Sequence, residues 1–272
     1  MRDGLIDIFM AGVTRAEPDR AVRTALRDAP TPDLILSLGK AGVAMARAAL
    51  DRFPGVSCLV VTNPENAADL SGATVMVGGH PVPDEGSLAA GEAMLNAADG
   101  LGAGQRCLAL ISGGGSALAV APVNGVSLAD KAEVSRLLLG AGLDIKAMNL
   151  IRQNLSRLKG GGLARAAAPA TIDALILSDV VGDDLAAIAS GPTVPPLGNP
   201  TAARDLLRHH DLWDRMPETC RTALSRPAAT AVPGGTTRLI GSNRLSAEAH
   251  HKFRARSRRT NFCTFPVDVL GK

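Results

Sequence analysis

Hydrophobic and polar positions alternate in blocks along the chain. Short apolar runs end at a glycine or a polar residue, and alanine-rich stretches of helical periodicity follow them. This alternation is typical of a parallel sheet whose connecting helices cover both faces. The pattern predicts strands at 33–38, 57–62, 73–78, 106–112, 172–178 and 236–241. It predicts helices at 41–51, 87–98, 127–141, 144–159 and 201–211, and the start of another at 242. The predicted fold class is therefore α/β, a Rossmann-like parallel sheet with helices on both faces.

Length and composition narrow the class of protein. The 272 residues allow one large domain, or one domain and part of another. A net charge of +3 is too small to indicate a nucleic-acid or membrane partner, and no apolar run is long enough to span a bilayer. The four cysteines form no CxxC pair and no secretory leader precedes them, so we expect reduced thiols and a cytoplasmic protein. A homodimer is an assembly that these properties leave open.

In an open parallel sheet, ligands bind outside the carboxyl ends of the strands. Lys40 stands at such an end, between Gly39 and a predicted helix. Because a cation at a helix N-terminus opposes the helix dipole, the position favours an anionic ligand beside Lys40. A solvated lysine on a tolerant loop is the alternative, and the spacing does not match the GxxxxGK[ST] phosphate loop. We take Lys40 as a candidate catalytic residue.

The stretch ISGGGSA provides a second candidate site. Three consecutive glycines after a strand can expose a row of backbone N–H groups to an anion, and the flanking serines add hydroxyl groups. The candidate cofactor-binding residues are Ser112, Gly113, Gly114, Gly115 and Ser116. The alternative is a loop without a ligand. No strand end carries the GxGxxG spacing of a dinucleotide site.

Acidic residues follow the strand predicted at 172–178. Asp179 lies at its carboxyl end, and Asp183 and Asp184 come after a Val-Gly turn. Carboxylates in such a place can hold Mg²⁺ against phosphate oxygens or accept a proton from a hydroxyl group. Capping of a following helix is an equal alternative for Asp183 and Asp184. Asp179 is therefore the candidate catalytic residue, and the pair is the candidate metal site.

Two further positions are candidates for substrate binding. His80, in GGHPVPDEG, can bind a carboxylate, or it can order a proline-rich turn. Arg152, Arg157 and Lys159 lie toward the end of the helix predicted at 144–159. Because cations suit a helix C-terminus, we interpret Arg157 and Lys159 as helix-end residues and keep Arg152 as the candidate ligand residue.

Six blocks, in chain order, resemble the glycerate 2-kinase family, whose members are often labelled hydroxypyruvate reductase. The blocks are LGKAGVAMA, GGHPVPDEGS, SGGGSAL, NLSRLKGGGLA, LSDVVGDDLAAIASGPTVP and GSNRLSAEA. The resemblance implies ATP-dependent phosphorylation of the 2-hydroxyl group of D-glycerate, a small hydroxy acid, with Mg²⁺ as the counter-ion. It implies that Lys40 binds phosphate or neutralises its charge, that the glycine-rich stretch cradles ligand oxygens, and that Asp179 positions or deprotonates the attacking hydroxyl group.

The resemblance extends over residues 1–249, as the N-terminal domain of the family. Family members are longer, and their second domain closes the cleft and carries an arginine motif that is missing here. Residues 250–272 are basic and poor in alanine, and we interpret them as an atypical tail that is out of frame. A nucleic-acid-binding tail is the alternative. We therefore expect a truncated kinase with impaired activity. The other hypotheses are a nicotinamide-dependent hydroxypyruvate reductase and a non-catalytic nucleotide-binding remnant.

Five positions depart from the family pattern. Ala147, Gln153, Asn154 and Gly162 stand where Glu, Lys, His and Arg are usual, and Val181 replaces a proline. These departures indicate either an altered choice of substrate or drift in a gene no longer selected for catalysis.

Overall fold

The computed structural model describes residues 2–258, which form a six-stranded sheet whose neighbouring strands all run parallel. In chain order the strands are β1 (Leu34–Leu38), β2 (Ser57–Thr62), β3 (Ala73–Val77), β4 (Arg106–Ile111), β5 (Thr171–Leu177) and β6 (Thr237–Gly241). Their order across the sheet is β3-β2-β1-β4-β5-β6. Each strand lies within one residue of its predicted range. The predicted α/β class is confirmed.

Helices connect the strands and cover the sheet. They are α1 (Arg2–Ala16), α2 (Pro18–Ala25), α3 (Gly42–Arg52), α4 (Glu85–Asp99), α5 (Gly115–Leu118), α6 (Leu128–Gly140), α7 (Ile145–Asn154), α8 (Gly162–Ala167), α9 (Pro200–His209), α10 (Glu218–Leu224) and α11 (Asn243–Arg258). The sequence pattern predicts α3, α4, α6, α7, α9 and the start of α11, and it misses the others.

Strand β1 shows why both faces of the sheet are apolar. Leu36 and Leu38 lie in one cluster with Met94 of α4, whereas Ile35 lies in a second cluster with Met45 of α3. Each of these five side chains is at most 1% exposed. Because successive side chains of a strand point to opposite faces, a strand covered on both sides is apolar throughout.

A third apolar cluster lies among helices rather than on the sheet. It joins α6, α7, α9 and α10 through buried residues such as Leu138, Ile151 and Leu207. Helices α6 and α7 also line a cavity together with residues of the segment after β4. This helical layer therefore flanks the carboxyl end of the sheet, where the candidate residues lie.

The helix predicted at 144–159 extends five residues beyond the observed end of the helix. Helix α7 ends at Asn154, and an irregular segment follows it. In that segment Arg157 N donates a hydrogen bond to Ala121 O at 2.8 Å, and Leu155 and Leu158 are each 1% exposed. The apolar spacing in the sequence continues past the end of the helix. These two leucines are buried by tertiary packing outside the helix, so their spacing does not indicate helical structure.

Helix α11 crosses the predicted boundary between residues 249 and 250. It begins where the sequence predicts, with Ser242 Oγ accepting a hydrogen bond from Leu245 N at 3.3 Å, and it continues to Arg258. It packs against α1, and a ring nitrogen of His250 lies 3.1 Å from Phe9 O. The rest of the predicted tail, residues 259–272, lies outside the described residues. Among the described helices, none is both long and apolar enough to cross a membrane.

Candidate functional site

Strands β1 and β4 are neighbours, and the connections that follow them lead toward opposite edges of the sheet. A crevice forms at such a switch point, outside the carboxyl ends of the strands. Three hydrogen bonds join the two loops there: Ser112 N to Leu38 O at 2.8 Å, Lys40 N to Gly113 O at 2.9 Å, and Ala41 N to Ser112 Oγ at 3.1 Å. The fold thus brings Lys40 and the glycine-rich stretch into one site.

The glycine loop, residues 112–116, is approached from two sides. At Gly113, a Cβ atom would lie 1.9 Å from Oδ2 of Asp179. Gly114 has a left-handed φ of +86°, and a Cβ there would lie 3.1 Å from Cγ of Lys40 and 3.4 Å from Cδ2 of His80. The structure therefore places Lys40, His80 and Asp179 around the same two glycines.

The backbone of this loop carries free donors. None of the N–H groups of residues 113–116 donates a hydrogen bond to another residue in the range 2–258. Gly113 and Gly115 are buried, and Gly114 and Ser116 are half-buried. Unpaired N–H groups in such surroundings are uncommon, and a concave row of them attracts anions.

The serines at the ends of the loop hold it in place. Ser112 is 1% exposed, and its Oγ accepts the hydrogen bond from Ala41. The Oγ of Ser116 lies 2.8 Å from that of Ser190, and its backbone O accepts a hydrogen bond from Lys159 Nζ at 2.7 Å. The hydroxyl groups are thus engaged within the protein, so the backbone N–H groups are the donors that remain.

The turn that carries His80 is ordered by its neighbours. Gly79 N donates to Asp84 Oδ1 and to Ser87 Oγ, both at 2.9 Å. Asp84 also caps α4 by accepting from Ser87 N at 2.8 Å, and these backbone N–H groups lower the pKa of its carboxyl group. His80 itself is exposed and leans toward Gly114. The two interpretations of this segment, turn and ligand residue, are compatible, because different residues serve them.

Glu65 is an acidic residue at this edge that the sequence analysis missed. It follows β2 in a short 3-10 turn, Pro64–Asn66, and it accepts a hydrogen bond from the side chain of Asn63. Its pKa is lowered, first by its own backbone N–H and then by Asn63, with smaller contributions from the positive charges of His80 and Lys40. The polar residues directly after β2 were the available signal, since the same strand-end rule applies to them.

Asp183 and Asp184 already have partners. Asp183 has a φ of +55° and lies 3.4 Å from Arg244 Nε. Asp184 Oδ1 accepts from Ala186 N at 3.0 Å, and its Oδ2 lies 3.9 Å from Lys146 Nζ. Asp184 caps a turn rather than an α-helix, because only the 3-10 helix Ile188–Ser190 follows. Within residues 2–258, no group of three or more His, Cys, Asp or Glu side chains could hold a metal ion.

Arg152 lies apart from this crevice, in the adjoining cavity of about 430 Å³. Lys131 and Lys159 line the same cavity, as do Ser116 of the glycine loop and Pro81 of the turn after His80. Nε of Arg152 is buried and has no hydrogen-bond partner among the described residues. Lys131 could not be recognised from the sequence, because a single lysine on an amphipathic helix carries no signal of its own.

The interpretation of Arg157 and Lys159 as helix-end residues was wrong, because α7 ends at Asn154. Lys159 is 4% exposed, since the chain turns back into the protein after α7. Burial lowers the pKa of Lys159 well below its usual value, and the charges of Lys131 and Arg152 lower it further. Burial also lowers the pKa of Lys131, to about 8. Arg157, by contrast, is a structural residue that pairs with Glu92 and donates through Nε to Pro122 O at 2.9 Å.

The fold and the crevice define a doubly wound α/β protein with a candidate polar site at the switch point. A family model described as a domain of unknown function, DUF4147, matches residues 4–225. The chain is 37% identical over 223 residues to glycerate 2-kinase from Pyrococcus horikoshii, covering 79% of this chain and 50% of that protein. It is 40% identical over 257 residues to an Agrobacterium vitis protein named provisionally as a hydroxypyruvate reductase, covering 91% of this chain and 58% of the relative.

Solved structures agree with the sequence relatives. The crystal structure of glycerate kinase from Thermotoga maritima matches with a TM-score of 0.89 and 30% identity, over 94% of this chain and 62% of that chain. The chain belongs to the glycerate 2-kinase family, which confirms the resemblance of the six sequence blocks. It spans between 50% and 58% of the length of the two curated relatives above.

Proposed function

We propose that this chain contributes the nucleotide-binding and phosphoryl-transfer residues of an ATP-dependent kinase that phosphorylates the 2-hydroxyl group of D-glycerate. The observation that supports the proposal best is the free row of N–H groups at residues 113–116, with Lys40, His80 and Asp179 placed around it. Phosphoryl transfer needs mainly alignment and neutralisation of charge, and backbone donors beside a cation provide both.

Each residue around the loop has a distinct role in this proposal. The N–H groups of the glycine loop hold phosphate oxygens, and Lys40 neutralises the charge that grows on the transferred group. Asp179 accepts the proton of the attacking hydroxyl group, or orients that group for attack. Lys40 and Asp179 are both exposed at the mouth of the crevice, so a ligand can reach them. His80 contacts the carboxylate of the hydroxy acid.

Mg²⁺, when it is bound with the nucleotide, neutralises charge on the phosphate oxygens. Magnesium in such sites takes one or two carboxylates and completes its shell with water and phosphate. Asp183 and Asp184 are half-buried, and each lies near a cation that competes for its charge. They would therefore supply one or two carboxylates to a nucleotide-held Mg²⁺ and not a cage built by the protein alone.

Two alternatives stay distinguishable from the kinase. A nicotinamide-dependent reductase lacks support at the switch point, because no loop there carries the dinucleotide spacing. A non-catalytic remnant would bind nucleotide through the glycine loop without turnover. We place the protein, with its small hydroxy-acid ligand, in the cytoplasm as part of the same proposal.

The experiment that tests the proposal measures ADP release by the purified chain with Mg²⁺-ATP and D-glycerate. The Thermotoga maritima glycerate kinase serves as the positive control for the assay. Loss of Lys40 (Lys40→Met) or of the Asp179 charge (Asp179→Asn) should lower turnover by about 10²-fold or more. Asp214→Asn is the matched control, since the Asp214 side chain is 93% exposed. Its carboxylate forms a long surface ion pair, of 3.8 Å, with an arginine.

The possible results separate the hypotheses. Turnover that depends on Lys40 and Asp179 supports the kinase. ATP binding without turnover identifies the chain as a nucleotide-binding remnant. Reduction of hydroxypyruvate with loss of nicotinamide absorbance, and no ADP release, would overturn the proposal in favour of the reductase.

A further inference from the structure

Four cationic side chains line one cavity, and one of them, Arg136 at the rim, pairs with Glu133. Lys131 of α6, Arg152 of α7 and Lys159 all line the cavity of about 430 Å³ beside the glycine loop. The lining contains no aspartate or glutamate from the described part of the chain. Within residues 2–258, none of the three forms an ion pair. The cavity thus concentrates positive charge without a protein counter-charge.

The hydrogen bonding of these cations is incomplete. Lys159 is 4% exposed, and its Nζ makes one hydrogen bond, to Ser116 O at 2.7 Å. Lys131 Nζ makes a long one, to Leu155 O at 3.4 Å. Nε of Arg152 is buried and donates to no described residue. Lys159 is buried, and Lys131 and Arg152 are half-buried. Since cations that are withdrawn from water are normally paired and hydrogen-bonded, these donors point to a ligand that accepts from all three.

The walls and the charge indicate the kind of ligand. Apolar side chains such as Val120, Leu128 and Leu155 form much of the lining, so the walls offer no competing carboxylate and few other hydrogen-bond acceptors. Three cations match an anion with two or more negative charges better than a single carboxylate. A phosphate group carries that charge and has several acceptor oxygens. These oxygens can accept hydrogen bonds from the forked guanidinium group of an arginine and from the ammonium groups of two lysines.

We propose that this cavity binds the phosphate group of a phosphate ester, with Lys131, Arg152 and Lys159 as its ligands. This proposal extends the proposed function and rests on it. The proposed function supplies the two candidate esters, which are the phosphorylated hydroxy acid and the nucleotide. It also gives Arg152 a more specific task than contact with an unphosphorylated substrate. Because Lys159 holds Ser116 O, an anion here lies beside the glycine loop and can act with it.

The test is calorimetric titration of the whole chain with inorganic phosphate, 2-phosphoglycerate and ADP, each without a second substrate. Lys131→Met keeps the length of the side chain and removes its charge, and Lys131→Arg keeps the charge. The matched control is Arg136→Gln, because Arg136 stands at the rim, 69% exposed and paired with Glu133. We expect Lys131→Met to weaken binding of inorganic phosphate about tenfold or more, and Lys131→Arg and Arg136→Gln to stay within about threefold.

The two sources of the phosphate group give different results. A loss confined to inorganic phosphate and 2-phosphoglycerate assigns the cavity to the phosphorylated acid, and a parallel loss for ADP assigns it to the nucleotide. Binding of all three ligands that is unchanged in Lys131→Met overturns the proposal. If the chain shows no turnover and its phosphate binding depends on Lys131, the result contradicts the proposed kinase function and supports the phosphate site. If the chain shows turnover and its phosphate binding does not depend on Lys131, the result supports the kinase function and contradicts the phosphate site.

Discussion

The carboxylate of Asp179 lies directly over the backbone of Gly113, so that a Cβ atom at Gly113 would come within 1.9 Å of Asp179 Oδ2. The two residues come from the ends of neighbouring strands, β4 and β5. Their contact joins the proposed anion donors to the proposed proton acceptor. It also means that the identity of one residue controls the position of the other.

Gly113→Ala should therefore displace the Asp179 side chain and lower glycerate-dependent ADP release by about 10²-fold. The displaced atom is the end of a side chain at an exposed position, so the free energy of unfolding should change by less than about 1 kcal/mol. Gly140→Ala is the control, because a Cβ at Gly140 meets nothing within 4 Å. Equal activities of the two alanine variants would show that the position of Asp179 is unimportant.

Lys131 should make stability depend on pH in the alkaline range. Burial lowers its pKa to about 8 in the folded state. A base with a lowered folded pKa binds fewer protons in the folded chain than in the unfolded chain, so stability rises with pH between about 8 and the unfolded value near 10.5. The charged lysine thus destabilises the fold at neutral pH.

The difference between the wild-type chain and Lys131→Met isolates this effect. Buried thiols oppose it, since burial raises the pKa of Cys58 and Cys220 to about 11 and that of Cys107 to about 12. At pH 7 the variant should be more stable by roughly 1–3 kcal/mol, and the gap should close by about pH 11. Urea unfolding measured across this range checks the prediction, and a gap that is constant with pH would contradict it.

Asp84→Ala should affect both stability and the His80 turn. The N-cap bond to α4 is lost, which costs about 1 kcal/mol, and Gly79 N loses its carboxylate acceptor. Since the pKa of Asp84 is lowered in the folded state, its contribution is present above the unfolded pKa and is lost as pH falls through the folded value. We expect a rise of several-fold in KM for glycerate.

Asn199→Ala separates the two effects of Asp84. Asn199 caps α9 by accepting a hydrogen bond from Ala202 N at 2.9 Å, and it is distant in the sequence from the residues of the crevice. This variant should therefore lose a similar amount of stability while its KM stays unchanged. A KM that rises equally in both variants would mean that the His80 turn plays no special part. Thermal melts and initial rates on the same preparations provide both quantities.

Gln153 stands where the family resemblance leads us to expect a lysine, and the structure uses its amide fully. Nε2 donates to Ala186 O and Ser190 O, each at 3.2 Å, and Oε1 accepts from Leu197 N at 2.9 Å. Gln153→Ala leaves Ala186 O and Leu197 N unpaired, whereas Ser190 O keeps its bond from Gly160 N at 3.0 Å, so we expect a loss of about 2–4 kcal/mol in the free energy of unfolding. Denaturant unfolding checks this, and a loss below about 1 kcal/mol would show that water replaces the amide.

The carboxyl ends of the strands could be predicted because local patterns determine them. Gly39 and Lys40 follow β1, the stretch SGGGSA follows β4, and Asp179 lies just beyond β5. Each comes after an apolar run in the sequence. Runs of this kind indicate strands buried on both faces, and ligands gather at the ends of such strands. Family resemblance added the chemistry that local patterns leave open.

What the sequence by itself determined is the sheet, its parallel class and the residues that meet at the switch point. Tertiary structure alone decided the cavity of Lys131, Arg152 and Lys159. Those residues come from α6, from α7 and from the irregular segment after it, so no periodicity connects them. These three cations lose water, and face no carboxylate among the described residues, only once the helical layer packs beside the glycine loop. Desolvation depends on neighbours in space and not on neighbours in the chain.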